Sequence, residues 1–207
     1  MHAEKSKIGI LAIQGDFAAH AAMLHSLGAE TLEVRTVADL NECDALILPG
    51  GESTTQLQFL QEEGLFEAIK KFAADRHAIF GTCAGAILLA ATVKNPPQDA
   101  LGLLDMTVLR NAYGRQLASD VFFGPTKLKP EPMEMVFIRG PIIDQVGPGV
   151  EILAEYAGKP ALVKEGTVLA ATFHPELTDD PTVHQYFLNL INSTSAQGEP
   201  LATHFSK

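Results

Sequence analysis

Apolar positions in the first half of the chain alternate between short solid runs and spaced, helix-like patterns. Ile8–Ile13, Thr31–Arg35, Ala45–Leu48 and Ala78–Phe80 read as four strands. Between them, Phe17–Leu27 predicts a helix closed by Gly28, and Thr54–Glu62 and Leu65–Ala74 predict two more, parted by Gly64. Ala84–Ala91 predicts a helix rich in small and apolar residues. Strand–helix alternation at this spacing marks a parallel sheet covered on both faces. The expected fold is therefore α/β, a three-layer, mostly parallel sheet flanked by helices. In such sheets the site forms at the carboxyl ends of the strands.

The second half is more broken. Met106–Arg110, Val121–Phe123, Glu134–Ile138, Ile152–Tyr156, Ala161–Lys164 and Val168–Thr172 are strand candidates, punctuated by prolines. Pro181–Asn192 reads as a final helix. From Ser193 the chain turns polar and aperiodic, so residues 1–193 are expected to form one domain and 194–207 a frayed tail.

Composition narrows the function classes. With 207 residues, 46% of them hydrophobic, the chain can bury one good-sized core. Its net charge is −10 and it has no Lys/Arg-rich run, which argues against nucleic acid and against an anionic membrane surface as partners. The apolar stretch from Ala84 to Val93 falls well short of the ~20 residues a spanning helix needs. The apolar run Ile8–Ile13 is too short for a signal peptide, so a cytosolic location is expected. Cys43 and Cys83 belong to no C-x-x-C pair, and no two histidines have ligand-type spacing. Neither a metal nor a cofactor is expected.

The most informative stretch is Ala78-Ile79-Phe80-Gly81-Thr82-Cys83-Ala84-Gly85-Ala86. A buried strand runs straight into a helix with a cysteine at the junction. Gly-x-Cys-x-Gly is the thiol counterpart of the Gly-x-Ser-x-Gly elbow, whose cramped turn demands small neighbours. A helix start favours a thiolate, and the Ala84 N–H can face a developing oxyanion. Most free cysteines are buried, inert hydrophobes. The flanking glycines favour catalysis at Cys83, whereas Cys43, in Glu42-Cys43-Asp44, has no elbow and no assigned role.

Ala171-Thr172-Phe173-His174-Pro175-Glu176 ends another strand pattern. Residues two apart in extended chain project to one side, so His174 and Glu176 are expected to meet, with Pro175 as a stiff spacer. A carboxylate beside an imidazole orients the ring and stabilises its protonated form. Alone, His-Pro-Glu is more often a turn; beside an elbow cysteine it completes a triad. A third strand end, Leu48-Pro49-Gly50-Gly51-Glu52-Ser53-Thr54, offers glycine N–H groups as the second oxyanion wall, and Ser53 or Thr54 as the cap of the next helix.

Together these segments resemble class I (triad-type) glutamine amidotransferases. Within that class, Leu11-Ala12-Ile13-Gln14-Gly15-Asp16-Phe17, Arg110-Asn111-Ala112-Tyr113-Gly114-Arg115-Gln116 and Phe137-Ile138-Arg139 are similar to the glutaminase subunits of pyridoxal 5′-phosphate synthases. The resemblance runs from about Ile8 to Asn192. It implies hydrolysis of L-glutamine to glutamate and ammonia by Cys83, His174 and Glu176, with Gly50, Gly51 and Ala84 as the oxyanion hole. It implies glutamine contacts from Gly51, Glu52, Ser53, Arg110, Ile138 and Arg139. The partner it implies is a (β/α)₈-barrel synthase subunit that receives the ammonia and is touched by Gln14 and Gly15. Gly140 stands where the family usually has alanine, which is expected to loosen the substrate loop. Ala19 precedes His20 where an acidic residue is common, which is expected to alter a subunit contact. Two other readings of the same residues stay open here: a glutaminase feeding a different acceptor, and a non-catalytic oxidant sensor acting through Cys83.

Overall fold

The computed structural model describes residues 6–111 and 119–196. Along the chain run β1 (Lys7–Leu11), α1 (Phe17–Ser26), β2 (Glu30–Val34), α2 (Val37–Leu40), β3 (Ala45–Leu48), α3 (Ser53–Glu62), α4 (Leu65–Ala74), β4 (Ala78–Thr82) and α5 (Ala84–Leu89). Then come β5 (Ala90–Lys94), β6 (Leu104–Leu109), β7 (Ser119–Gly124), β8 (Met133–Ile138), β9 (Ile142–Val146), β10 (Glu151–Tyr156), β11 (Lys159–Glu165), β12 (Val168–Ala171) and α6 (Thr182–Ala196). A 3₁₀ turn at Pro175–Leu177 lies between the last two.

The main sheet has seven strands in the order β10-β11-β12-β4-β3-β1-β2. The five from β12 to β2 are parallel, and β11 pairs antiparallel with both β12 and β10. The expected mostly parallel sheet is present, with an antiparallel margin. Strand pleating sends alternate residues to opposite faces, which builds two cores. On one face Leu46, Leu48 and Ile79 pack with Leu57, Leu60 and Ile69 of α3 and α4. On the other, Ala45, Ile47 and Phe80 pack with Leu24 of α1 and Phe187 of α6. Each fully buried side chain of this kind contributes roughly 1.5–3 kcal/mol. Among the described residues no helix is long and apolar enough to cross a membrane.

The structure departs from the sequence pattern in four places. The helix expected over Ala84–Ala91 ends at Leu89, because β-branched Thr92 and Val93 pair with β6 in a three-stranded sheet, β5-β6-β9. Strand β9 was hidden because Ile142-Ile143-Asp144-Gln145-Val146 does not alternate. Helix α2 is a single turn held by a Thr36/Asp39 capping box. Helix α6 continues through Ala196, past the expected start of the tail.

The junction after β4 shows why its glycines are fixed. A Cβ on Gly85 would lie 1.9 Å from the Leu48 carbonyl oxygen, and one on Gly81 would lie 2.6 Å from the Gly85 carbonyl carbon. Helix α5 therefore rests on β3 and β4 at backbone contact. Gly85→Ala is expected to destabilise the fold by about 3 kcal/mol, the upper end of overpacking costs, since a backbone carbonyl cannot swing aside. Urea denaturation measures this, and a variant as stable as the parent contradicts it.

Candidate active site

Cys83 sits between β4 and α5 with φ +48° and ψ −100°, a conformation L-residues rarely adopt. Its N–H donates to the Ala171 carbonyl at 2.8 Å, tying the bend to β12. The thiol is nearly buried and points toward the Ile138 carbonyl at 4.0 Å. Helix α5 has six residues, so its end-charge is small.

His174 follows β12, the parallel neighbour of β4, and its N–H donates to the Val136 carbonyl at 2.8 Å. The expected extended His-Pro-Glu geometry is replaced by the 3₁₀ turn, with His174 at its start. Pro175, whose missing N–H costs nothing at a helix start, is what lets the turn begin there. The turn still brings the pair together: His174 Nδ1 lies 2.8 Å from Glu176 Oε1, with the carboxylate side chain fully buried. A Cβ on Gly50 would fall 2.5 Å from His174 Cε1 and 3.6 Å from Cys83 Cβ. The thiol and the ring thus flank one glycine. Burial works against a charged His174, but the facing Cys83 thiol and the hydrogen-bonded Glu176 carboxylate outweigh it and lift the imidazole to about 10.

Asp16, part of the Leu11–Phe17 run but given no role from sequence, stands 3.6 Å from His174 Nδ1. Asp16, His174 and Glu176 bring their ligand-type atoms within 4.8 Å of one another. The imidazole nitrogen in that cluster is committed to Glu176, so the arrangement is an ion-pair set around one ring. Cys43, in contrast, is pushed up to about 11 by burial and holds its thiol against the Asp39 carbonyl.

A cleft of about 380 Å³ opens over the sulfur. Gly51, Glu52, Ser53, Ala84, Arg110, Ile138 and Arg139 all line it with Cys83 and His174, joined by Asp16, Asn111 and Pro141. Arg110 donates to Thr54 Oγ1 at 2.9 Å and lies 3.6 Å from Glu52. Ser53 donates its hydroxyl to Gln98 Oε1 at 3.0 Å, and the cap of α3 is Glu52, not Ser53 or Thr54. Asn111 (φ +52°) and Arg139 (φ +47°) share the left-handed region with Cys83, so three strained backbone positions border the cleft. The expected loosening at Gly140 is not what the packing shows. An alanine Cβ there would sit 2.5 Å from the Thr172 carbonyl oxygen, so glycine seats the Arg139 loop more closely. Residues 112–116 of the Arg110–Gln116 motif lie outside the described residues.

Gln14 and Gly15 do not line the cleft; they brace its glycine turn from outside. Gln14 Nε2 donates to the Glu52 carbonyl at 3.1 Å, and a Cβ on Gly15 would strike the Gly50 carbonyl. His20, whose altered neighbour suggested a subunit contact, is itself fully buried behind Glu176.

A parallel α/β sheet with a cysteine elbow and an imidazole at adjacent strand ends is the fold of the class I glutamine amidotransferases. The chain belongs to the SNO glutamine amidotransferase family, which it matches over residues 10–193. It is 52% identical over 187 residues to the pyridoxal 5′-phosphate synthase subunit PdxT of Koribacter versatilis, covering 90% of this chain and 96% of that one. It is 50% identical over 186 residues to the subunit of the same name from Thermotoga neapolitana, covering 89% and 99%. A crystal structure of a glutamine amidotransferase matches with a TM-score of 0.83 at 45% identity, covering 89% of this chain and 98% of that one. A chain of PurLQS from Thermotoga maritima, at 18% identity and a TM-score of 0.68, covers 90% and 99% and shares the fold alone.

The elbow strain has a measurable size. Cys83→Gly and Cys83→Ala both remove the sulfur, but only glycine relaxes at φ +48°. Cys83→Gly is expected to be the more stable of the two by about 1 kcal/mol in urea denaturation. Equal stabilities would mean the bend is not strained.

Stability should also respond to acid. Burial depresses His20 well below its ordinary value and His184 to about 4. Unfolding frees both rings to take protons, so stability should fall as pH drops from about 6.5 toward 4. Glu176, raised by its own burial, opposes part of this slope. The urea midpoint should drop between pH 6.5 and 5, and less steeply in His184→Leu. Identical slopes for parent and variant would contradict the assignment.

Proposed function

We propose that the chain is the glutaminase subunit of a pyridoxal 5′-phosphate synthase, and that Cys83, His174 and Glu176 hydrolyse the side-chain amide of L-glutamine. The observation that carries the chemistry is the elbow thiol sharing Gly50 as a neighbour with a carboxylate-held imidazole. The relatives, at about half identity over nine-tenths of the chain, carry the biological context.

In the proposed reaction the Cys83 thiolate attacks the amide carbonyl carbon and forms a tetrahedral oxyanion. The Ala84 N–H, which opens α5 and has no intrahelical acceptor, and the Gly50-Gly51 turn would hold that oxygen. His174 gives its proton to the departing nitrogen, ammonia leaves, and a thioester to Cys83 remains. His174 then takes a proton from water, whose oxygen attacks the thioester; glutamate departs and the thiolate returns. Glu176 keeps the ring oriented and stabilises its charged form throughout. Free glutamine carries a carboxylate and an ammonium, and Arg110, Arg139 and Glu52 supply the opposite charges around the cleft.

The ammonia is proposed to pass to a (β/α)₈-barrel synthase subunit, with Gln14 and Gly15 at the contact. Their position against the Gly50-Gly51 turn supports a partner-sensitive site. A different acceptor and an oxidant sensor are the weaker readings, because the relatives share one name and the cleft carries charges a sensor does not require.

Ammonia release from glutamine, measured with and without the synthase subunit, tests the proposal. The parent should turn over faster with the subunit present, and Cys83→Ala should lose more than about 1,000-fold. Release that survives in Cys83→Ala would refute the nucleophile. Equal turnover with and without the subunit would refute the coupling.

A further inference from the structure

We propose that His20, backed by His184, is a positioning residue of the Cys83 site, holding the buried Glu176 carboxylate ionised and turned toward His174. This rests on the reading of Cys83, His174 and Glu176 as the hydrolytic triad and extends it by two residues.

Glu176 has two oxygens to satisfy in a dry interior. Oε1 is taken by His174, and among the described residues Oε2 has no hydrogen-bond donor within normal range. An anionic oxygen left alone at that depth is costly. The polar atom facing it is His20 Nε2, from α1, at 3.5 Å. The same nitrogen lies 3.1 Å from Thr82 Oγ1, the residue before the nucleophile. On its other side, His20 Nδ1 lies 2.9 Å from His184 Nε2 on α6. Phe80 meets both imidazoles edge-on, at 6.0 Å and 5.9 Å between ring centres, and fixes their planes.

One set of tautomers fits this chain. Among the described residues, His184 Nδ1 has no partner. A proton there would be a buried donor with nothing to bond, the costlier kind of orphan. His184 therefore carries its proton on Nε2 and donates to His20 Nδ1. His20 must then carry its own on Nε2, where the N–H donates to Thr82 Oγ1 and its dipole faces Glu176 Oε2 at 3.5 Å, short of a hydrogen bond. Two aligned donors thus polarise each other toward the carboxylate. Burial and the neighbouring rings keep His20 neutral, so it acts as a fixed dipole, while burial pushes Glu176 toward protonation and makes that dipole matter. Besides His20, Glu176 faces His174 from the end of β12 and Asp16 from the loop before α1, with Cys83 beyond His174. Asp16 disfavours the charge, and His20 and His174 favour it.

The test measures iodoacetamide labelling of Cys83 against pH, read by peptide mass spectrometry so that Cys43 is scored separately. It is paired with kcat and KM for glutamine in the presence of the synthase subunit. In His20→Leu the acid limb of labelling should move up by about one pH unit, because Glu176 protonates more readily and supports the imidazolium less. The kcat should fall at least about tenfold with KM nearly unchanged. His20→Gln keeps an N–H donor near the same place and should recover most of both. A folded His20→Leu chain with the parent's labelling profile and kcat would overturn the inference. If that variant does not fold, His184→Leu decides instead: a smaller shift in the same direction supports the relay, and a parent-like profile overturns it. Labelling needs neither glutamine nor partner. Shifted profiles in a chain that releases no ammonia would refute the proposed function and leave the relay standing.

Discussion

The structure depends on bringing a thiol and an imidazole to the same glycine from two adjacent parallel strands. β4 and β12 are hydrogen-bonded neighbours, so their carboxyl ends emerge side by side. β3, on the other side of β4, delivers Gly50 into the gap. Parallel pairing makes this possible: three strand ends open on one side of the sheet, and each contributes one part. The cost appears locally, as positive φ at Cys83, Asn111 and Arg139 and as helix α5 pressed onto strand backbone at Gly85. A well-filled core on both faces of the sheet sustains that strain.

Electrostatics follow from the same packing. The strand ends bury Cys83, His174 and Glu176, which raises the cost of every charge among them. Glu176 and Cys83 favour the charged imidazole at His174, and the reverse influence of burial is overcome there. At His20 and His184, with no carboxylate in hydrogen-bond range, burial wins and both rings stay neutral. Four histidine and carboxylate side chains within one buried cluster thus take opposite protonation states because of who faces whom.

Much of this was legible in the sequence where the cause is local. Gly81 and Gly85 bracket Cys83 because the bend itself excludes side chains, so the elbow is written in adjacent letters. Ala45–Leu48 and Leu65–Ala74 were found at their observed limits because solid and spaced apolar runs map directly onto strand and helix. The His174–Glu176 contact was anticipated, but its 3₁₀ geometry was not, since Pro175 suits both an extended spacer and a helix start. His20 and His184 were passed over for a different reason. They meet across 164 positions, and no residue near either of them marks it as part of the site. The Asp16–His174 contact and strand β9 were missed likewise, because each is defined by a neighbour far away in the chain.

The central claim is that Cys83 is a nucleophile aimed into a glutamine-sized cleft and activated by His174. Its most direct test is labelling with a glutamine analogue that carries an electrophilic carbon in place of the side-chain amide, followed by intact and peptide mass measurement. The account predicts one adduct, on Cys83 and not on Cys43, suppressed by free glutamine and greatly slowed in His174→Ala. An adduct on another residue, or labelling of His174→Ala at the parent's rate, would contradict it.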